Sequence, residues 1–118
     1  MNSKELEDRL IRFAVLIIDI AENLKKSKSG NHIAGQIIRS GTSPALNYGE
    51  AQDAESRKDF IHKIKIVLKE LRETLVALKI IKLANLYHDF NKLNSAIKEN
   101  NELVSIFVKT VRTTKQNS

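Results

Sequence analysis

The segment from residue 39 to residue 51, RSGTSPALNYGEA, is the clearest interruption in an otherwise helical sequence. The whole chain of 118 residues has four glycines and one proline, and so few helix-breaking residues favour a helical fold. Gly41 and Pro44 both fall in this segment. Ser43 precedes the proline, which disfavours its helical conformation, and it can cap a new helix that starts at Pro44. The segment therefore predicts one helix in two pieces, residues 31–40 and 44–54, with a kink between them.

Three further helices are predicted from apolar residues that recur at spacings of three and four. They cover about residues 4–26, 56–84 and 88–113. Ser3 is the predicted cap of the first, which Gly30 should end, and Ser56-x-x-Asp59 resembles a capping box at the start of the second. Four long helices with short connections predict an all-α, antiparallel up-and-down four-helix bundle, with helix 2 broken near Gly41–Pro44.

The chain is predicted to form a single domain over residues 1–118, of which the polar segment 113–118 is a frayed tail. The last helix should bury one apolar face that also includes Asn100; its apolar members are Phe90, Leu93, Ile97, Val104, Phe107 and Val111. The first helix has a second apolar row of Ile11, Val15 and Ile18. A wide bundle core could bury this row, or another subunit could cover it.

The net charge of +6 is unevenly distributed. Residues 1–55 contain seven basic and eight acidic residues, whereas residues 56–118 contain thirteen basic and six acidic ones. The second half therefore contains all the excess positive charge, which suggests a polyanionic partner. There is no cysteine, which excludes disulfides and thiolate metal sites, and no apolar run is long enough to span a bilayer. A cytoplasmic protein without a membrane partner is the simplest interpretation.

The third helix has a basic face whose members are spaced alternately by four and three residues. Such a face would form a strip about 30 Å long, which can follow a phosphate backbone. A solvated helix face is the alternative interpretation. The strip consists of Lys58, His62, Lys65, Lys69, Arg72 and Lys79, with Val76 in the remaining place and with Arg57 and Lys63 as flanking candidates. Only Tyr48 and Tyr87 could offer exposed rings, so backbone contacts to structured nucleic acid fit better than base stacking.

A second face of the same helix combines charged and apolar residues, which suits either a subunit interface or a structural network of ion pairs. Its charged members are Asp59, Lys63, Glu70 and Glu73. We expect Arg39 or Arg57 to pair with the two glutamates, and we expect Asn47 and Glu50 to have structural roles. Only one Asp-x-x-His pair is present, and no nucleophile or phosphate-loop motif, so neither a metal, a cofactor nor an enzyme activity is predicted.

These residues resemble a known family. The pattern consists of Arg39-Ser40-Gly41-Thr42-Ser43, Asn47, Glu50-Ala51, Ser56, Asp59-Phe60, Lys63, Leu68-Lys69-Glu70 and Glu73-Thr74. It is similar to the four-helix-bundle proteins encoded by intervening sequences of bacterial 23S ribosomal RNA genes, often called S23-type proteins. The resemblance is densest over residues 33–81, and Pro44-Ala45-Leu46 departs from many relatives.

The resemblance implies a four-helix bundle that assembles into a ring-like homopentamer, and it implies work with RNA or with reverse transcriptases. Together with the basic strip, it predicts a non-enzymatic protein that binds structured RNA or another nucleic acid. The alternative is a homo-oligomeric scaffold that binds a protein partner and has no nucleic-acid ligand.

Overall fold

The computed structural model describes residues 1–117 as four α-helices joined by short connections. They are α1 (Ser3–Glu22), α2 (Lys28–Ala51), α3 (Arg57–Leu83) and α4 (Phe90–Gln116). Each helix begins after a residue whose side chain accepts a backbone N–H bond from three residues further on: Asn2, Ser27, Ser56 and Asp89. Ser56 was predicted correctly, but Asn2 rather than Ser3 caps α1.

Helices that follow one another in the chain pack side by side, and α4 closes the bundle against α1. Within residues 1–117, the diagonal pairs α1–α3 and α2–α4 have no Cα atoms within 8 Å of each other and meet only through core side chains such as Tyr48 and Phe107. Short connections between packed neighbours give the antiparallel up-and-down order. The all-α bundle is therefore confirmed, with dimensions of 48 × 21 × 20 Å. No helix formed by the described residues is long and apolar enough to cross a bilayer.

Helix α2 is continuous, so the predicted break near Gly41–Pro44 is wrong. A proline inside a helix costs about 3 kcal/mol. Pro44 is nevertheless buried, with Ile37 two turns before it and Tyr48 one turn after it also buried. Burying one large apolar side chain contributes roughly 1.5–3 kcal/mol, so packing on both sides of the proline outweighs the local cost. The Thr42 hydroxyl, which donates to the Ile38 carbonyl at 2.7 Å, adds a local tie.

The connection between α1 and α2 also differs from the prediction, because α1 ends at Glu22 and α2 begins at Lys28. Gly30 therefore lies in the first turn of α2 and does not end α1. A Cβ atom at Gly30 would lie 1.9 Å from the Lys25 carbonyl oxygen. Glycine is required there because the connecting backbone passes directly over this position.

Helix α4 also departs from its prediction. It extends through Gln116, beyond the predicted end near residue 113, and Ser118 of the predicted tail lies outside the described residues. Phe90, predicted to be buried, is 56% exposed because it is the first residue of α4 and lies outside the packed length. The Lys82 ammonium lies 4.9 Å from the centre of its ring.

Hydrogen bonds and an ion pair connect α4 to α3 and to α1. On the α3 side, the amide orientation of buried Asn100 that satisfies both of its polar atoms donates to the Leu71 carbonyl at 3.0 Å and accepts from the Leu75 N–H at 3.2 Å. On the α1 side, Arg9 forms a two-pronged pair with Glu99, with both N···O distances at 2.7 Å. Hydrogen bonding to Glu99 raises the pKa of Arg9 above its usual value. The α1–α4 seam is therefore held partly by charge.

Candidate nucleic-acid interface

The basic strip of α3 lies on the outer side of the bundle. The apolar residues on the opposite side of this helix, among them Ile64, Leu71 and Leu78, are fully buried. Because the strip residues are spaced alternately by four and three, burial of that side turns all of them to solvent. The exposed members are Lys58, His62, Lys65, Lys69, Arg72 and Lys79.

These six side chains have no ion-pair or hydrogen-bond partner among residues 1–117. Other basic side chains are neutralised inside the molecule, such as Arg9 on Glu99 and Lys92 on Asp19. The five lysine and arginine members, at steps of one or two helical turns, produce a positive potential along roughly 30 Å. Such a surface attracts polyanions and releases their counterions on contact.

The strip has two different halves. Its first half, from Lys58 to Lys69, has no exposed large apolar side chain. In the second half, Val76, Ile80 and Leu83 are exposed by 58%, 44% and 87%. The first half is therefore the more purely electrostatic surface, and the second combines charge with apolar area.

The two flanking candidates are engaged elsewhere. Lys63 lies toward α2, where its ammonium is 3.1 Å from the Glu50 carboxylate. It pairs there across the helices and not with Asp59 on its own helix. Arg57 donates to the Asn117 carbonyl at the end of α4. Neither side chain extends the free strip.

The expected structural network lies along the seam between α2 and α3. Arg39 donates to the Glu70 carboxylate at 2.9 Å and also pairs with Glu73. The Glu70 side chain is only 10% exposed, so Arg39 supplies the positive charge that a buried carboxylate needs. Asn47 does not join this network, because its amide donates to Ser43 within α2, at 3.0 Å to the carbonyl and 2.8 Å to the hydroxyl.

Sequence reasoning missed two contacts in the same region. The hydroxyls of Ser40 and Thr74 are fully buried and 2.9 Å apart, and they join α2 to α3. Gly41 lies against α1, where an added Cβ atom would be 2.5 Å from Cγ2 of Ile17. Both could have been inferred from small and polar residues that fall on core-facing positions of their helices.

A family model described as "23S rRNA-intervening sequence protein" matches residues 5–109. The chain belongs to this family. A crystal structure of a protein of unknown function from the S23 ribosomal protein family of Bacteroides thetaiotaomicron is similar at 30% sequence identity and a TM-score of 0.84. The similarity covers 95% of this chain and 99% of that chain. No curated protein matches the chain.

Membership of the 23S rRNA-intervening sequence family confirms the resemblance that the sequence suggested. Much of the residue pattern behind that resemblance consists of packing contacts. Arg39 and Ser40 fasten α2 to α3, and Gly41 lets α2 approach α1. The free basic strip is largely outside this pattern, and of its members only Lys69 belongs to it. The pattern therefore describes how the bundle packs. A binding role for the strip rests on its exposed positive charge, which is unpaired among residues 1–117.

Proposed function

We propose that this protein is a non-enzymatic, homo-oligomeric, cytoplasmic binder of structured RNA and that the basic strip of α3 contacts the phosphate backbone. The observation that supports the proposal best is the absence of any internal partner for the strip cations among residues 1–117. Keeping several like charges adjacent and unpaired works against folding through self-repulsion, and a polyanionic ligand would relieve that repulsion. Lys58, Lys65, Lys69 and Arg72 are the proposed phosphate contacts.

The aromatic side chains support backbone recognition over base stacking. Tyr48 is 4% exposed and lies edge-on against Phe107 with ring centres 5.5 Å apart, so it is not the exposed ring that the sequence allowed. Tyr87 is half-buried and lies against His88. Phe90 is exposed but belongs to α4, and the strip itself contains no Phe, Tyr or Trp. Such a basic surface reads the shape and charge of a duplex and not its base edges. We therefore expect weak sequence preference.

Salt dependence gives a quantitative test of this proposal. Four phosphate contacts predict a slope of log K against log salt of about −3 to −4, that is a loss of roughly 100-fold in affinity between about 50 and 200 mM salt. The measurement is a binding titration of the purified protein with a hairpin RNA across this range.

The variant that tests the site is Lys58→Gln/Lys65→Gln/Lys69→Gln, because these residues lie in the purely basic half of the strip. The matched control is Lys4→Gln/Lys98→Gln/Lys109→Gln, which removes the same charge from exposed side chains on α1 and α4 that have no ion-pair partner among residues 1–117. We expect the strip variant to lose most of the affinity and about three units of slope, and the control to lose little. Equal losses in the two variants would show non-specific charge attraction and would overturn the site.

A homo-oligomeric scaffold for a protein partner is the second candidate, and the exposed apolar side chains on α1 and α3 favour it. It predicts that the wild-type protein does not bind hairpin RNA even at low salt. It also predicts that strip substitutions leave capture of the protein partner unchanged.

A further inference from the structure

Two exposed apolar rows on the bundle have the same spacing. Each consists of three large aliphatic side chains at positions i, i+4 and i+7, so each forms a short straight row on its helix. On α1 the exposed fractions are 47%, 60% and 38%, and on α3 they are 58%, 44% and 87%. The α1 row is Ile11, Val15 and Ile18, and the α3 row is Val76, Ile80 and Leu83.

The charges around the two rows are on balance of opposite sign. The α1 row is bounded by exposed acidic residues, Asp8 one turn before it and Glu22 one turn after it, and one exposed cation, Arg12, lies beside it. The α3 row is preceded by Arg72 and contains Lys79, and both are exposed and unpaired among the described residues. Contact between the rows would therefore bury aliphatic surface and bring carboxylates to cations.

The α3 row also borders a recess. Ile80 forms one wall of an open groove of about 520 Å³ at the end of the bundle, and Ile33 and Leu86 form other parts of its lining. A row of branched aliphatic side chains from another molecule can fill such a groove. Lys28 lies at the same groove and adds positive charge to it.

The two rows cannot meet within one molecule, because both are on outer faces and α1 and α3 are diagonal helices with no Cα atoms within 8 Å of each other over residues 1–117. Their outer faces therefore lie on opposite sides of a bundle about 20 Å thick. Two different faces of one chain that complement each other form a head-to-tail contact, which closes into a ring when the rotation allows it. One side of the bundle, 48 Å long, is large enough for the roughly 800 Å² per partner of a stable interface.

We propose that the acid-bounded row of α1 in one copy packs against the Val76–Ile80–Leu83 row of α3 in the next copy. This interface rests on the proposed homo-oligomer and specifies where its subunits meet. In an up-and-down bundle α1 and α3 run in the same direction. Neighbouring copies placed side by side with the same orientation therefore align Asp8 with Arg72. The interface occupies the mixed half of α3. It takes Arg72 out of the proposed phosphate contacts and leaves Lys58, Lys65 and Lys69 free for RNA, so the oligomer should show the lower salt slope of about −3.

Cysteine cross-linking tests the contact cleanly, because the natural chain has no cysteine. In the variant Val15→Cys/Ile80→Cys, mild oxidation should produce a ladder of covalent multimers on a non-reducing gel. Each single variant should stay monomeric on the same gel. Cross-linking of Val15→Cys alone would show a two-fold contact between like faces and overturn the head-to-tail arrangement. A double variant that forms no ladder would also overturn it.

Oligomeric mass provides the second measurement. Val15→Lys places a cation in the α1 row opposite the basic α3 row, and it should fold because Val15 is 60% exposed. We expect sedimentation to show a single-chain mass for this variant. Leu46→Lys, at an equally exposed apolar site on α2, should keep the wild-type mass. An oligomeric Val15→Lys protein would overturn the interface.

The experiments distinguish failure of the proposed RNA function from failure of this interface. An oligomeric wild-type protein that does not bind hairpin RNA would remove the function and leave the interface standing. If Val15→Lys left the oligomeric mass unchanged and the protein still bound RNA, the function would stand and the interface would be wrong. A monomeric wild-type protein would remove both the oligomer and this contact, whatever its RNA affinity.

Discussion

The Arg39–Ser40–Gly41 tripeptide and the basic strip of α3 differ in their contacts: the first packs against other helices and the second faces solvent. Each residue of the tripeptide is committed to another helix: Arg39 to the α3 carboxylates, Ser40 to Thr74, and Gly41 to Ile17 of α1. The strip residues contact no partner among residues 1–117. The tripeptide belongs to the family pattern and the strip largely does not. The family pattern thus consists mainly of residues that pack helices together. The surface residues without a partner in the described part of the bundle are the better candidates for function.

The largest effect should come from Gly41, because its missing side chain sets the distance between α1 and α2. We expect Gly41→Val to destabilise the fold by about 3 kcal/mol, since overpacking a tight contact costs roughly 1–3 kcal/mol or more. The nearest atoms are Cγ2 and Cβ of Ile17, and Cβ cannot move aside by rotation of its own side chain. Chemical denaturation measures the change.

Gly35→Ala is the matched control within the same helix. No atom lies within 4 Å of a Cβ added at Gly35, so the substitution should stabilise α2 by about 0.5–1 kcal/mol through helix propensity. If Gly41→Val unfolded no more easily than the wild type, the close approach of α1 and α2 would not be a constraint on the bundle.

Pro44 shows why the fold was predictable while one of its helices was not. The periodic apolar rows identify four helices from local spacing alone, and those four helices were confirmed. The rule that proline interrupts helices is also local, but the continuity of α2 depends on burial of Ile37 and Tyr48 against other helices. Periodicity describes one helix at a time, and it cannot weigh a local cost of about 3 kcal/mol against packing between helices.

The second largest effect should come from the buried hydroxyl pair. Thr74→Val keeps the shape but leaves the fully buried Ser40 hydroxyl without this partner, and an unsatisfied buried polar group costs about 1–3 kcal/mol. Adding Ser40→Ala removes the second hydroxyl as well, so the double variant should recover part of that loss. Denaturation of all four proteins gives the coupling, and strictly additive losses would show that the two hydroxyls do not stabilise each other.

A smaller loss is expected at the charged part of the same seam. Arg39→Gln removes the cation beside the buried Glu70 carboxylate, and we expect a loss of about 1 kcal/mol. Lys63→Gln is the comparison, because its partner Glu50 is 62% exposed and an exposed pair contributes roughly 0–1 kcal/mol. Thermal unfolding should therefore rank Arg39→Gln as the less stable protein, and the reverse order would contradict the importance of burial at this pair.

The candidate site was predictable as a face but not in its details. A spacing of four and three places Lys58, Lys65 and Lys69 together whatever the neighbouring helices do, and the structure places them so. Lys63 could not be assigned in this way, since its pairing with Glu50 depends on which side of α3 meets α2. Charge in a sequence shows which residues are basic, and only packing shows which of them remain unpaired.

Lys69→Gln should have the smallest effect on stability. It also separates the packing role of the Arg39–Ser40–Gly41 tripeptide from the binding role of the basic strip most directly. Lys69 belongs to both the family pattern and the strip, yet it contacts no partner among residues 1–117, so its free energy of unfolding should change by no more than about 0.5 kcal/mol. Its RNA affinity should fall, and the salt slope should decrease by about 1. Arg39→Gln should do the reverse, lowering stability and leaving the slope unchanged. If both variants changed the same quantity, the division between packing residues and binding residues would not hold for this bundle.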